Sequence, residues 1–325
     1  MDQTGHTWAL VLAAGDGRRL SDLTADGAGL TVPKQYCSLC GGLTLLQETL
    51  RRARGFASQS NISVIVSARH VGWWRAAGLE IAAGNLVVQP ENRGTAVGIL
   101  LQLLHVLEKD PAAIVVLLPA DHFVADEAAL RLAIGRALDL VRRAPQRLTM
   151  LGVEPAYADP DLGYILPGPA CELGAATVAG FVEKPTEARA AQLIAQGALW
   201  NTFIIVSSAR SLLAMIEQRL TLTVAEMRRA MLGGRERSAR LTALYEQLPS
   251  VDFSRQLLSA NRPEGCLLVA VPDCGWSDLG TPERVGQALS RFEVPGMQPP
   301  ATLPATAPIN LAARFRRWQP RAAAI

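Results

Sequence analysis

Glycines and cations stand in this chain at a spacing suited to phosphate chemistry. Leu12-Ala13-Ala14-Gly15-Asp16-Gly17-Arg18-Arg19-Leu20 directly follows an apolar run. Glycines at a strand end let the backbone turn sharply and bring N–H groups close to a phosphate or a flat base. The stretch is not G-x-x-x-x-G-K-[ST], so it is no Walker A loop, and Leu20 stands where G-x-G-x-x-G needs its third glycine. A tight strand-to-helix turn is the plain alternative. Pro33-Lys34-Gln35 comes next. Arg19 and Lys34 together would offer a planar fork and a point charge to phosphate oxygens. Singly, each reads as a surface cation.

Carboxylates complete the set. Asp121 ends an apolar strand at residues 114–118, where open α/β sheets bind ligands. Asp278 follows a second apolar stretch at 266–271 after a short loop. Two carboxylates from separate strands would hold one Mg²⁺ and leave its other positions to phosphate oxygens and water. Taken alone, an Asp after a strand is a turn or helix cap. His122 is open to either a phosphate contact or a structural hydrogen bond. In Glu183-Lys184-Pro185 the proline holds two charged residues extended. Glu183 would accept hydrogen bonds from hydroxyls and Lys184 would meet a phosphate; the plain alternative is a surface ion pair. Asn201 offers both a donor and an acceptor. Trp200 and Trp276 read as packing.

Short apolar runs at residues 8–13, 61–67, 86–89 and 113–118 read as buried strands. Helical stretches at 43–54 and 96–109 lie between them, the latter placing Ile99, Leu100, Leu103, Leu104 and Leu107 on one side. That rhythm predicts an α/β fold with a mainly parallel sheet covered on both faces. Further along, 148–153, 177–182, 202–206 and 266–271 read as strands, 188–196 as a helix and 210–248 as a long, charged helical region. From about residue 293 the chain turns to Pro, Ala and Thr, a linker, and then to a basic tail at 310–325, usually solvated or loosely docked. The expected division is a catalytic domain at 1–292, with halves at about 1–150 and 151–292, and a tail at 293–325.

Of the 325 residues, 49% are hydrophobic and 19% charged, enough for a sizeable core. A net charge of +3 and 5% aromatics argue against a nucleic-acid partner. Five scattered cysteines fit a reducing compartment. Cys37 and Cys40 form a C-x-x-C with no second pair, a chance spacing. No secretory leader or membrane span is read, so a cytoplasmic protein is expected.

The pattern LAAGDGRRL…PKQ resembles the signature of the sugar nucleotidyltransferases. The likeness continues in order. Gln89-Pro90-Glu91-Asn92-Arg93-Gly94-Thr95-Ala96 is similar to the base-recognition segment of the mannose-1-phosphate guanylyltransferases, and Leu118-Pro119-Ala120-Asp121-His122 resembles their metal-aspartate motif. Gly163-Tyr164-Ile165, Phe181-Val182-Glu183-Lys184-Pro185, Trp200-Asn201 and Trp276-Ser277-Asp278-Leu279-Gly280 resemble the other blocks. The resemblance spans about residues 8–290. It implies a Rossmann-like three-layer sandwich of the glycosyltransferase-A-like kind. It also implies condensation of a nucleoside triphosphate, GTP above others, with a sugar 1-phosphate, mannose 1-phosphate above others, releasing pyrophosphate. Ala13, Ala14, Gly15, Gly17, Arg19, Gln89, Asn92, Gly94 and Thr95 would bind the nucleotide. Arg19, Lys34 and Lys184 would be catalytic. Gly163, Glu183, Lys184 and Asn201 would bind the sugar phosphate, and Asp121 and Asp278 the Mg²⁺. A homodimer is left open.

Several positions depart from the family pattern. Arg18 stands where a small hydroxyl residue is common, residues 21–32 are longer and richer in glycine, Ala120 replaces a Ser, and Thr202-Phe203 follows Asn201. The C-terminal β-helix or isomerase domain of many relatives is not read here. Two rivals follow: a uridylyl- or thymidylyltransferase acting on glucose 1-phosphate or another sugar phosphate, and a catalytically silent regulator that binds nucleotide sugar. A Rossmann-type dehydrogenase fails on the absent third glycine.

Overall fold

In the first half, strands and helices alternate: β1 (Thr7–Ala13), α1 (Ser21–Thr24), α2 (Leu45–Ala53), β2 (Ile62–Ser67), α3 (Val71–Ala76), β3 (Leu86–Gln89), α4 (Thr95–Lys109) and β4 (Ile114–Pro119). The structure is a computed structural model that describes residues 5–25, 29–259, 265–291 and 308–317; the Arg18 side chain lies outside that description. The four strands pair in parallel, in the spatial order β3-β2-β1-β4. They are apolar at nearly every position because both faces are covered. Trp8 and Leu10 pack with Ile99 and Leu103 of α4. Ala9, Val11 and Ala13 pack on the other side with Leu46 and Leu50 of α2.

The second half runs α5 (Glu127–Arg143), β5 (Thr149–Val153), β6 (Gly163–Ala170), β7 (Ala176–Glu183), α6 (Glu187–Ala195), β8 (Leu199–Ser208), α7 (Ala209–Glu217), α8 (Thr221–Ala230), α9 (Arg237–Gln247), β9 (Leu267–Val271), α10 (Pro282–Arg291) and α11 (Leu311–Arg317). Here the pairing departs from the parallel expectation. β8 continues the sheet antiparallel to β4 and also pairs antiparallel with β5 and β6. β5 is parallel to β9, which meets β7, which meets β6. Strands β8-β5-β9-β7-β6 thus close into a five-stranded ring. For β6 and β7 the physical reason is connection length. β6 and β7 are joined by the short turn at 171–175, closed by Cys171 N–H on the Ala175 carbonyl at 2.8 Å. A turn that short permits an antiparallel hairpin and forbids a parallel crossover. β8 is also kinked: Phe203 has φ 58°, and the side chains of Asn201 and Thr202 accept from the N–H groups of Phe203 and Ile204.

The charged region expected at 210–248 is three helices, broken near Leu220 and at Gly233-Gly234. α5 starts on a side-chain cap, Asp126 accepting from Ala128 and Ala129 N–H at 2.9 Å. The described part of the tail is docked rather than solvated. Ser38 N–H donates to Ile309 O, and Leu311 and Ala312 N–H donate to Ser38 O and Leu39 O, each at 2.8 Å. Leu311 and Ala312 are buried. The linker expected at 293–307 lies outside the described residues. Among the described residues no helix is long and apolar enough to cross a membrane.

Candidate functional site

A cavity of about 290 Å³ opens at the carboxyl ends of the parallel strands, where the polarity of such a sheet directs ligands. At the end of β1, Ala14, Gly15 and Arg19 form part of its wall. Ala13 and Gly17 do not. The Gln35 side chain pins the loop from below, donating to the carbonyls of Ala13 and Gly15 at 2.9 Å each. Gly17, at φ 63°, packs against Lys34; a Cβ there would sit 2.9 Å from the Lys34 amide nitrogen.

β3 and the start of α4 supply Gln89, Asn92, Gly94 and Thr95 to the wall. Gln89 is 2% exposed, and its Oε1 has no hydrogen-bond partner. A buried acceptor without a protein partner can take a hydrogen bond from a donor placed in the cavity. Gly94 has φ 84°, and a Cβ would meet Val251 O at 2.3 Å, so only glycine lets the 251–253 segment approach. That segment is held by Ala96 N–H on Val251 O at 3.0 Å and by Phe253 N–H on Thr95 Oγ1 at 2.8 Å. Asn92 Oδ1 accepts from Gly94 N–H at 3.0 Å.

Asp121 follows β4 and Asp278 follows the loop after β9; both line the cavity. Lys34 lies beneath them rather than in the wall. It is 5% exposed, its Nζ is 3.0 Å from Asp121 Oδ2, and it also donates to the carbonyls of Asp278 and Leu279. Burial opposes the charge on Asp121, but the Lys34 ammonium, with His122, overrides it and holds the carboxyl below its usual range. Burial pushes the His122 imidazole down to about 4, so it is neutral; its ring stands edge-on to Trp276 at 5.3 Å. Arg19 reaches Asp161 Oδ2 at 3.7 Å and Asp278 Oδ2 at 4.0 Å.

At the far end, β6, β7 and β8 present Gly163, Glu183, Lys184 and Asn201. Gly163 faces Glu183 across the β6–β7 ladder, and a Cβ there would lie 2.5 Å from Glu183 Oε2. Burial, then the Asp252 charge, pushes the Glu183 carboxyl up to about 7. Lys184 is exposed, with φ 52° and its N–H on Leu162 O at 3.1 Å. Trp200 packs edge-on against Tyr157 at 5.1 Å and is buried, as is Trp276.

Among the described residues no three His, Cys, Asp or Glu side chains cluster to hold a metal. Asp121 and Asp278 both line the cavity, and carboxylate oxygens are the hard donors that a divalent cation takes. Sequence reasoning passed over Asp161, Ile65, Gly98 and Ser254, all in the wall, and Gln35, although it sits inside a quoted motif. Asp161 lies two residues before Gly163, and that proximity was the available signal.

The fold and this cavity define an α/β protein whose cavity is lined by both cations and carboxylates. More particularly, the chain belongs to the nucleotidyl transferase family, whose model matches residues 8–293. It is 30% identical over 293 residues to the mannose-1-phosphate guanylyltransferase of Escherichia coli K12, covering 84% of this chain and 58% of that one. It is 28% identical over 276 residues to the xanthan biosynthesis protein XanB of Xanthomonas campestris, covering 84% and 57%. The chain thus spans less than two thirds of the length of these curated relatives. A solved structure described as mannose-1-phosphate geranyltransferase from Thermus thermophilus superposes with a TM-score of 0.76 at 26% identity, covering 88% of this chain and 80% of that one.

Proposed function

We propose that this chain condenses a nucleoside triphosphate, GTP in the first place, with a sugar 1-phosphate, mannose 1-phosphate in the first place, and releases pyrophosphate. The observation that carries the reading is the convergence of Arg19, Gln89, Asp121, Lys184, Asn201 and Asp278, from separate elements, on one cavity. The names of the relatives above support the substrate pair. The open Oε1 of buried Gln89 supports a base with N–H donors on its edge, which guanine has.

In this reading a nonbridging oxygen of the sugar phosphate attacks the α-phosphorus. The bond from that phosphorus to the bridging oxygen breaks, and pyrophosphate leaves with the electron pair. A phosphate monoester is already anionic near neutral pH, so no general base is needed, and catalysis rests on alignment and charge neutralisation. The Ala14-Gly15 backbone, with Gln89, Asn92, Gly94 and Thr95, surrounds the nucleotide. Arg19 holds the β- and γ-phosphates and stays on the departing pyrophosphate. Lys184 meets the sugar phosphate, and Gly163, Glu183 and Asn201 read sugar hydroxyls. Asp121 and Asp278 would hold a divalent cation, Mg²⁺ in this reading, which supplies neutralisation of the two mutually repelling phosphates. Lys34 acts from beneath, by fixing Asp121 and the Asp278 turn. The parallel half reads as the Rossmann-like, nucleotide-binding part (about 1–150) and the ring as the sugar-binding part (about 151–292).

The test is pyrophosphate release with Mg²⁺ across four triphosphates and several sugar 1-phosphates. Release with GTP and mannose 1-phosphate alone supports the full reading. Release with a uridine or thymidine pair keeps the chemistry and moves the substrate. No release, with nucleotide-sugar binding intact, overturns catalysis in favour of a regulator.

A further inference from the structure

Asp278 does not stand alone beside the cavity. Arg284, on α10, is 4% exposed and is absent from the cavity wall. Its Nη1 donates to Asp278 Oδ1 at 2.8 Å, and the same oxygen accepts the Gly280 N–H at 2.9 Å. Oδ1 is therefore occupied by two donors. Oδ2 points elsewhere: Arg19 Nη2 is 4.0 Å from it. The absence of a side chain at Gly280 keeps the space beside Oδ2 open, since a Cβ there would lie 2.5 Å from Oδ2 and 3.2 Å from Arg19 Nη2.

The other edges of the guanidinium reach two more aspartates. Nη2 donates to Asp161 Oδ2 at 3.5 Å, and Nε lies 3.5 Å from Asp159 Oδ2. Asp161 Oδ2 is also the oxygen that faces Arg19 Nη1 at 3.7 Å. Asp159 is fixed in turn: its N–H and C=O both engage the hydroxyl of fully buried Tyr164, and its Oδ1 accepts from Asp161 N–H at 2.8 Å. One buried cation thus ties the loop before β6 to the turn that carries Asp278. It also balances carboxylates that would otherwise repel two phosphorylated substrates. A planar fork does this; a lysine's point charge reaches one partner well and the others poorly.

We propose that Arg284 is a positioning residue that makes Asp278 a one-oxygen ligand: it holds Oδ1 so that only Oδ2 is offered to the cavity, and it anchors Asp161, the counter-ion of Arg19. The proposal rests on the reading of the cavity as a triphosphate–metal site. Partners that orient a ligating carboxylate are commonly worth about 10- to 100-fold in metal affinity or activity.

The experiment is an electron paramagnetic resonance titration of Mn²⁺ into the full chain with an α,β-methylene analogue of GTP. It is run on the parent, Arg284→Met and Arg284→Lys, with circular dichroism to verify folding. Arg284→Met is expected to weaken Mn²⁺ binding by about tenfold or more and to lower kcat in parallel. KM for the sugar phosphate should change little, because Lys184 and Asn201 are untouched. A folded Arg284→Met with parental Mn²⁺ affinity overturns the proposal. If Arg284→Met does not fold, Arg284→Lys decides: a clear loss of Mn²⁺ affinity supports the fork, and parental affinity overturns it. A parent that binds no triphosphate removes the cavity reading and this inference together. A parent that binds, with both variants matching it, removes this inference alone.

Discussion

Replacing Lys34 by Met keeps an apolar stem of similar length and deletes the ammonium. The structure sets what is lost. Nζ stands 3.0 Å from Asp121 Oδ2 and donates to the carbonyls of Asp278 and Leu279. Breaking a buried ion pair from one side costs about 3–5 kcal/mol when the abandoned charge stays dry. The Asp121 side chain is 35% exposed, so water screens it and a figure of about 2–3 kcal/mol applies. The two carbonyls also lose their donor, and Leu279 sits at φ 47°, a conformation that persists only when its surroundings hold it. The Asp278 turn should therefore loosen. We expect urea unfolding to report a loss of about 3 kcal/mol. The same energy taken from the transition state lowers kcat/KM for pyrophosphate release by about 100-fold. The pH dependence follows in sign. A carboxyl held below its usual 3.8 stabilises the fold above that value and loses the contribution as pH falls through its folded value. The parent should show this acid-labile part and Lys34→Met should lack it. An unfolding free energy within about 0.5 kcal/mol of the parent, with unchanged kcat/KM, would show that Lys34 holds neither Asp121 nor the Asp278 turn in place.

Gly94→Ala puts a Cβ 2.3 Å from Val251 O at φ 84°; strain of about 1–3 kcal/mol plus displacement of the 251–253 segment should weaken triphosphate binding, read by calorimetry, and parental affinity would contradict the close approach. Glu183, raised to about 7, contributes stability in full below its usual 4.5 and loses it as pH rises through 7. Above that pH its charged form accepts better, so KM for the sugar phosphate should fall as pH rises through about 7, whereas Glu183→Gln should give a flat profile. A parental profile in Glu183→Gln would assign the titration to another group. Leu311→Asp buries a charge at a fully covered position and should release α11, exposing residues 308–317 to limited proteolysis with a stability loss of about 2–4 kcal/mol. Resistance equal to the parent would show that the docked tail adds nothing.

What the sequence determined by itself was local. Residues 8–13, 86–89 and 96–109 are continuous or periodic in their apolar pattern, and the strands and helix they predict are present as β1, β3 and α4. Asp121 could be set at the carboxyl end of a parallel strand because the run before it is short, apolar and bounded. The motifs quoted in order along the chain carried the family resemblance. Pairing and environment were not legible. Pro167 and Pro169 argue against a strand, yet β6 forms and pairs with β7 through register shifts on either side of Pro167. Ring closure through β8 rests on contacts between segments far apart in sequence. The sequence reading set Lys34 on phosphate, and its burial was not legible because nothing near it in sequence says that the Asp278 carbonyl, 244 residues away, will receive it. Glu183 owes its raised affinity for a proton to burial and to Asp252, and Arg284 owes its place to three aspartates from two loops. Backbone propensity is settled by neighbours along the chain. Partner choice, burial and the charge state of a side chain are settled by neighbours in space, and only the tertiary structure supplies those.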